Sequence, residues 1–196
     1  MTMTATTTTT AQNLPDNAAP AGNAIGGMIL SFFGTAWLSG ACLIAWPAAT
    51  ATRAMAIALV VLTGATLFLR ALRRWRRART LPAAVRDPLR EQRRRRQFHL
   101  INAGQWIAAL VSVNVLNNIG LAAWDLPALI GIVGIHFLLL APVLGQPRNY
   151  IVGVVLILVA ILCPLLGDGP LLAAAPALTG LTLWVGGLWR ARCGNA

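Results

Sequence analysis

Lysine is absent from this chain of 196 residues, so all sixteen basic side chains are Arg, and only five acidic residues stand against them. Without Lys, the Gly-rich loop ending in Gly-Lys that cradles nucleotide phosphates cannot be built. Cysteine is scarce as well: Cys42, Cys163 and Cys193 form no CxxC pair, and the two histidines, His99 and His136, cluster with none of them. That pattern supports neither a zinc site nor a redox centre, and no cofactor is expected. Membrane-embedded Cys is read as a small apolar packing residue. No basic residue precedes the first apolar stretch. A cleaved secretory signal carries such residues, so this stretch is expected to stay in the membrane.

Apolar sequence fills the space left by charge. Hydrophobic residues make up 57% and charged residues 11% of the chain, against roughly 45–50% and ~25% in soluble domains. A helix needs about 20 apolar residues to cross a ~30 Å hydrocarbon core, and six stretches meet that need: Ala24–Trp46, Ala54–Leu72, Phe98–Ile119, Leu126–Leu144, Tyr150–Leu166 and Leu171–Trp189. Breakers separate them, notably Pro47, Pro127, Gln146-Pro147 and the turn Gly167-Asp168-Gly169-Pro170. The fold class is therefore an all-α membrane protein, a bundle of about six transmembrane helices over residues 23–192. Residues 1–22, rich in Thr, Ala and Pro, bury too little to offset the entropy of ordering and are expected as a disordered tail. Residues 193–196 form a short C-terminal tail.

Twelve of the sixteen Arg fall between residues 70 and 96. In a soluble protein, a net charge of +11 raises the question of nucleic acid. Here the Arg flank apolar spans, where they set orientation by the positive-inside rule, and no nucleic-acid partner is expected. An Arg-rich loop, residues 70–97, is placed in the cytoplasm. Alternation then brings Arg148, Arg190 and Arg192 to the same side, leaves Arg53 alone outside, and puts both termini in the cytoplasm. Missing Lys beside abundant Ala suggests a GC-rich bacterial genome, hence a multi-pass protein of the inner membrane. Within the loop, Arg73, Arg74, Trp75, Arg76 and Arg77 are a candidate contact for anionic lipid, with the indole in the headgroup layer. Trp46, Trp124 and Trp189 fall where interfacial anchors belong.

Polar residues inside the spans are the candidate site. His136 sits near the middle of the fourth span, and an ionisable residue at that depth is a functional hypothesis by default. Aligning the spans at their centres brings Thr35, Thr63, Gln105 and Thr179 within about a turn of the same depth, while Asn102 shares a helix face with Gln105. The candidate midplane site is thus His136, Gln105, Asn102, Thr35 and Thr63. The competing reading is that the Thr hydroxyls bond their own helix carbonyls and that His136 and Gln105 are interhelical glue. Asp125 is ~16 Å from His136 along the axis, so no catalytic acid–base pair is expected. Gly26, Gly27, Gly34, Gly40, Gly131, Gly134, Gly186 and Gly187 favour close helix packing. Three spans plus three permit an inverted repeat, although the two halves show no sequence match.

The segment from Phe98 to Leu166 resembles an uncharacterised family of small bacterial multi-span membrane proteins. The likeness rests on Gly134-Ile135-His136-Phe137, on Leu140-Ala141, and on Tyr150 and Gly153 after a short basic loop. This chain has Leu138-Leu139 where the family pattern brings a Pro, with Pro142 lying later, and Gln105 where the pattern often has Glu. The resemblance implies a multi-span fold and no activity; with Gln at that position, no proton relay is implied either. Three function classes stay open: a small-solute transporter or channel around His136, a membrane-embedded interaction or assembly subunit that forms homo- or hetero-oligomers, and, least supported, an intramembrane enzyme.

Overall fold

A computed structural model describes residues 19–48, 50–80, 88–167 and 170–192. The regular elements among them are all helical: α1 (Ala19–Ala45), α2 (Ala51–Ala78), α3 (Pro88–Asn118), α4 (Asp125–Leu144), α5 (Arg148–Leu162) and α6 (Ala174–Arg192). Short 3-10 turns at Ala122–Trp124, Cys163–Leu166 and Pro170–Ala173 complete the path. The all-α membrane class holds. Five segments are long and apolar enough to cross a bilayer, covering α1 to α5 with their flanking turns. The sixth helix is not among these five: it has 19 residues and ends in Arg190 and Arg192. Of the expected tails, residues 1–18 and 193–196 lie outside the described residues, as do Arg86 and Asp168, whereas residues 19–22, expected in the first tail, open α1.

Of the segment 70–97, expected as a loop, residues 81–87 lie outside the described residues, and helix occupies both flanks. Helix α2 continues through the Arg run to Ala78, and α3 begins already at Pro88. Arg, Leu and Ala have high helix propensity. Arg76 and Arg77 in the last turn of α2 complement the dipole, Pro88 sits at the helix start where its missing N–H costs nothing, and Glu91 meets Arg95 one turn on at 3.1 Å. The charged residues therefore prolong the two spans instead of interrupting them. At the other end of the chain α5 is shorter than expected. Pro164 has no N–H and crowds the preceding turn, so the α-helix stops at Leu162 and the last turn tightens to 3-10.

Turn chemistry fixes the hairpins. Thr50 caps α2 by accepting from the Arg53 N–H, while the Arg53 guanidinium donates to the Trp46 and Pro47 carbonyls, which α1 leaves unpaired at its end. Gly145 ends α4 at φ 62°, a left-handed conformation that glycine adopts without Cβ strain. Helices α3 and α4 are tied at both ends. The Asn117 amide donates to Asp125 at 2.7 Å, and Arg94 donates to the Leu144 carbonyl at 2.9 Å.

Small residues decide how the helices pack. Gly27 and Gly34 of α1 face Gly187 and Gly180 of the antiparallel α6: a Cβ at Gly180 would lie 2.7 Å from the Gly34 carbonyl oxygen. On another side of α1, Gly64 of α2 receives Thr35 and Ala71 lies against Gly27. In the second hairpin Gly134 and Gly153 bring α4 and α5 together. The order of neighbours runs α2, α1, α6, α5, α4, α3. Leu30, Ile130, Phe137, Val152, Leu156, Cys163, Ala175 and Leu183 form the core, all from α1, α4, α5, α6 and the adjoining turn. The flanking helices contribute little: α2 buries Gly64 and Ala71, and α3 buries no residue. Leu, Ile, Val, Phe and Trp side chains are exposed along every helix, as a bundle solvated by lipid requires.

Candidate functional site

The five midplane candidates divide between two helix pairs at opposite ends of the packing order. His136 is on α4, half-buried against α3, where its imidazole meets the backbone carbonyl of Ile101 and its Nδ1 is buried without a partner among the described residues. Gln105 lies one turn beyond Ile101 on α3 and is half-buried, and Asn102 turns back to donate to the Phe98 carbonyl at 2.8 Å. Thr35 and Thr63 belong to α1 and α2, where each hydroxyl donates to a carbonyl one turn earlier, Ser31 at 2.7 Å and Leu59 at 2.8 Å. Thr179 does the same toward Ala175. A shared depth does not give these residues a shared neighbourhood, because α6 and α5 separate the two pairs. His136, Gln105 and Asn102 lie on the neighbouring helices α4 and α3, where the contact made is that of His136 with the Ile101 backbone.

Of the lipid-contact candidates, Arg73, Arg74, Arg76 and Arg77 are exposed on the last turns of α2 and Trp75 is half-buried. The Arg79 guanidinium lies 4.7 Å above the Trp75 ring, so one aromatic face is occupied by a cation from the next turn.

A second polar cluster, which sequence reasoning missed, lies where α1 begins, α5 begins and α6 ends. Arg190 is only 8% exposed, and its guanidinium donates to Asn149 Oδ1 and lies over Gly26, where a Cβ would come 3.2 Å from the Arg190 Cζ. Asn149 is 1% exposed, and its Nδ2 finds no partner among the described residues. Beside them Gln146 donates to Asn23 of α1, and the Arg148 guanidinium stacks 5.1 Å over the Trp189 ring. Among the described residues neither Arg148 nor Arg190 has a carboxylate partner. In the sequence both looked like ordinary positive-inside markers. The one available signal was the glycine pair Gly26-Gly27 on the helix that receives Arg190.

Trp189 also closes one end of an apolar groove of about 260 Å³ between α5 and α6, whose floor is Val152 and Gly186. Among the described residues, no group of three or more His, Cys, Asp or Glu comes together that would hold a metal ion. Comparison with protein-family models, curated proteins and solved structures gives no match to this chain.

Proposed function

We propose that this is a six-crossing protein of the bacterial inner membrane, with both termini and the Arg-rich segment in the cytoplasm, and that it serves as a membrane-embedded interaction subunit. The observation that carries this reading is α3, a helix of 31 residues that buries none of them within its own chain. A helix anchored at both ends to α4, yet presenting Trp106, Leu110 and Val111 outward, offers a fixed ridge to another membrane helix. The Arg-bearing ends of α2 and α3 suit anionic headgroups of the cytoplasmic leaflet, at about 1 kcal/mol for each basic residue near the surface. Lipid alone as the neighbour of α3 is the alternative this reading must beat.

Cross-linking tests it. With Cys42, Cys163 and Cys193 changed to Ser, Leu110→Cys in native membranes is expected to give an oxidative or short bifunctional adduct of one defined mass, from a second copy or another subunit. An outward control, Leu62→Cys on α2, is expected to give none. A monomer throughout would sink the proposal.

A transporter or channel is the second reading, favoured by one observation: the buried, unpartnered Nδ1 of His136. In the same Cys-free background, labelling of His136→Cys by a membrane-impermeant thiol reagent would establish water at that depth and displace the first reading. Protection in a folded protein would mean a closed α3–α4 contact, with His136 as glue.

A further inference from the structure

We infer that the α5–α6 groove is a binding site for one glycerophospholipid, with an acyl chain along the groove and the phosphodiester at Arg148. This inference needs only that the bundle sits in a bilayer; it holds in either orientation and does not depend on the interaction surface of α3. The groove runs along α6 from Trp189 to Leu178, about 16 Å at the rise of an α-helix. That length matches the hydrocarbon of a single leaflet, half of the ~30 Å core. Its walls suit an alkyl chain and little else: Ile151, Val155, Leu178, Leu181 and Val185 supply the sides, and the only polar lining group besides the Trp189 ring is Thr182, whose hydroxyl already donates to the Leu178 carbonyl. Gly186 keeps the floor low, since a Cβ there would press to 3.2 Å from Val152.

The end of the groove supplies the complementary charge. Trp189 lines it, and Arg148 stacks on that indole, which holds a guanidinium at the depth where an aromatic belt meets the headgroups. Behind it Arg190 is buried with a neutral amide as its side-chain partner. The Arg148 guanidinium, on the lining residue Trp189 and without a carboxylate partner among the described residues, leaves a positive charge for a phosphate to neutralise, and Arg is suited to grip it through two oxygens. The Arg-rich ends of α2 and α3 are a separate feature, because the groove is built from α5 and α6 alone.

The test is native mass spectrometry of the purified, delipidated protein titrated with phosphatidylglycerol. The unaltered chain is expected to retain one lipid that excess inorganic phosphate does not displace. Arg148→Gln removes the headgroup contact, and Val185→Trp fills the groove from a position 60% exposed that the fold tolerates. Each is expected to weaken retention about tenfold, a loss of one charge-assisted contact or of the chain seat. Changing Arg73, Arg74, Arg76 and Arg77 together to Gln is expected to leave that lipid in place. Unchanged retention in either groove variant overturns the assignment, as does displacement by phosphate or loss of the lipid only in the fourfold Arg variant.

Discussion

Arg190 poses the sharpest energetic question in the molecule. A guanidinium taken out of water is costly unless its hydrogen bonds are replaced, and here Asn149 Oδ1 is its side-chain acceptor. Asn149→Leu keeps the volume and removes that acceptor, so about 1.5–3 kcal/mol of stability should be lost, the range for a hydrogen bond to a charged group. Adding Arg190→Met removes the stranded charge, and the double variant should recover most of the loss. A melting series in detergent on the two single variants and the double closes that cycle, and additive effects would show that the two side chains do not support each other. Asn149→Asp makes the converse case. It exchanges the orphaned Nδ2 for an acceptor and gives Arg190 an opposite charge, so the melting point should rise at neutral pH and the gain should vanish on acidification, once the carboxyl is protonated. None of this was legible in the sequence, because whether an Arg near a span end reaches water or folds back over a neighbouring helix depends on Gly26 lying beneath it.

At the scale of the helices, the spans were readable and their faces were not. Each of the six apolar stretches falls on one helix, and five of these helices are long and apolar enough to cross a bilayer, where the cost of an unpaired backbone favours helix. In the Arg-rich segment α2 runs on to Ala78 and α3 starts already at Pro88, because Arg is a good helix former, so that most of these Arg sit on helix ends. The glycines show the other limit. Counting them predicted close packing, but only the packed structure separates those at a crossing from those facing outward. Gly153 and Gly180 lie at crossings, where an added Cβ would come 2.8 Å and 2.7 Å from the facing carbonyl oxygens of Gly134 and Gly34. Gly40 and Gly104 have open space around them. Gly180→Ala and Gly153→Ala should therefore lower the melting point through forced separation of backbones, a cost of about 1–3 kcal/mol for overpacking. Gly40→Ala and Gly104→Ala should raise it slightly, since Ala is favoured over Gly by about 1 kcal/mol inside a helix. Equal effects at all four positions would mean that these crossings do not hold the bundle together. His136 is legible as the ionisable residue inside the fourth apolar stretch, and the α3–α4 hairpin sets it against the backbone of Ile101, one turn before Gln105. Thr35 and Thr63 belong to a different hairpin, where Thr35 lies against Gly64.

For the whole molecule, the order of neighbours constrains topology more tightly than any single span. Helix α1 packs on α2 as α4 packs on α5, and α1 receives α6 as α4 receives α3. That is the exchange an inverted repeat of three helices would give, with the last helix of each half crossing to the other. The two halves are not equivalent, however, because α6 is wedged between α1 and α5 while α3 remains at the edge. The wedge matters for orientation. Since α6 runs antiparallel to α1 with Gly180 against Gly34 and Gly187 against Gly27, the end of α6 lies beside the start of α1, and the six-crossing reading proposed above puts both on one side of the membrane, although α6 is not among the five helices long and apolar enough to span. In the orientation proposed above, that side is cytoplasmic and Arg53 alone lies outside, where its guanidinium already serves the carbonyls at the end of α1. A Cys-free chain carrying Ala48→Cys should therefore react with an impermeant thiol reagent added to intact cells. Chains carrying Ala83→Cys, or retaining only Cys193, should react only after the membrane is opened. Were positions 83 and 193 to label on opposite sides, α6 would not complete the sixth crossing and its antiparallel seating on α1 would have to be abandoned. Were both to label from outside and position 48 from inside, the packing would stand with its orientation reversed, and the Arg-bearing ends of α2 and α3 would face away from the cytoplasmic leaflet.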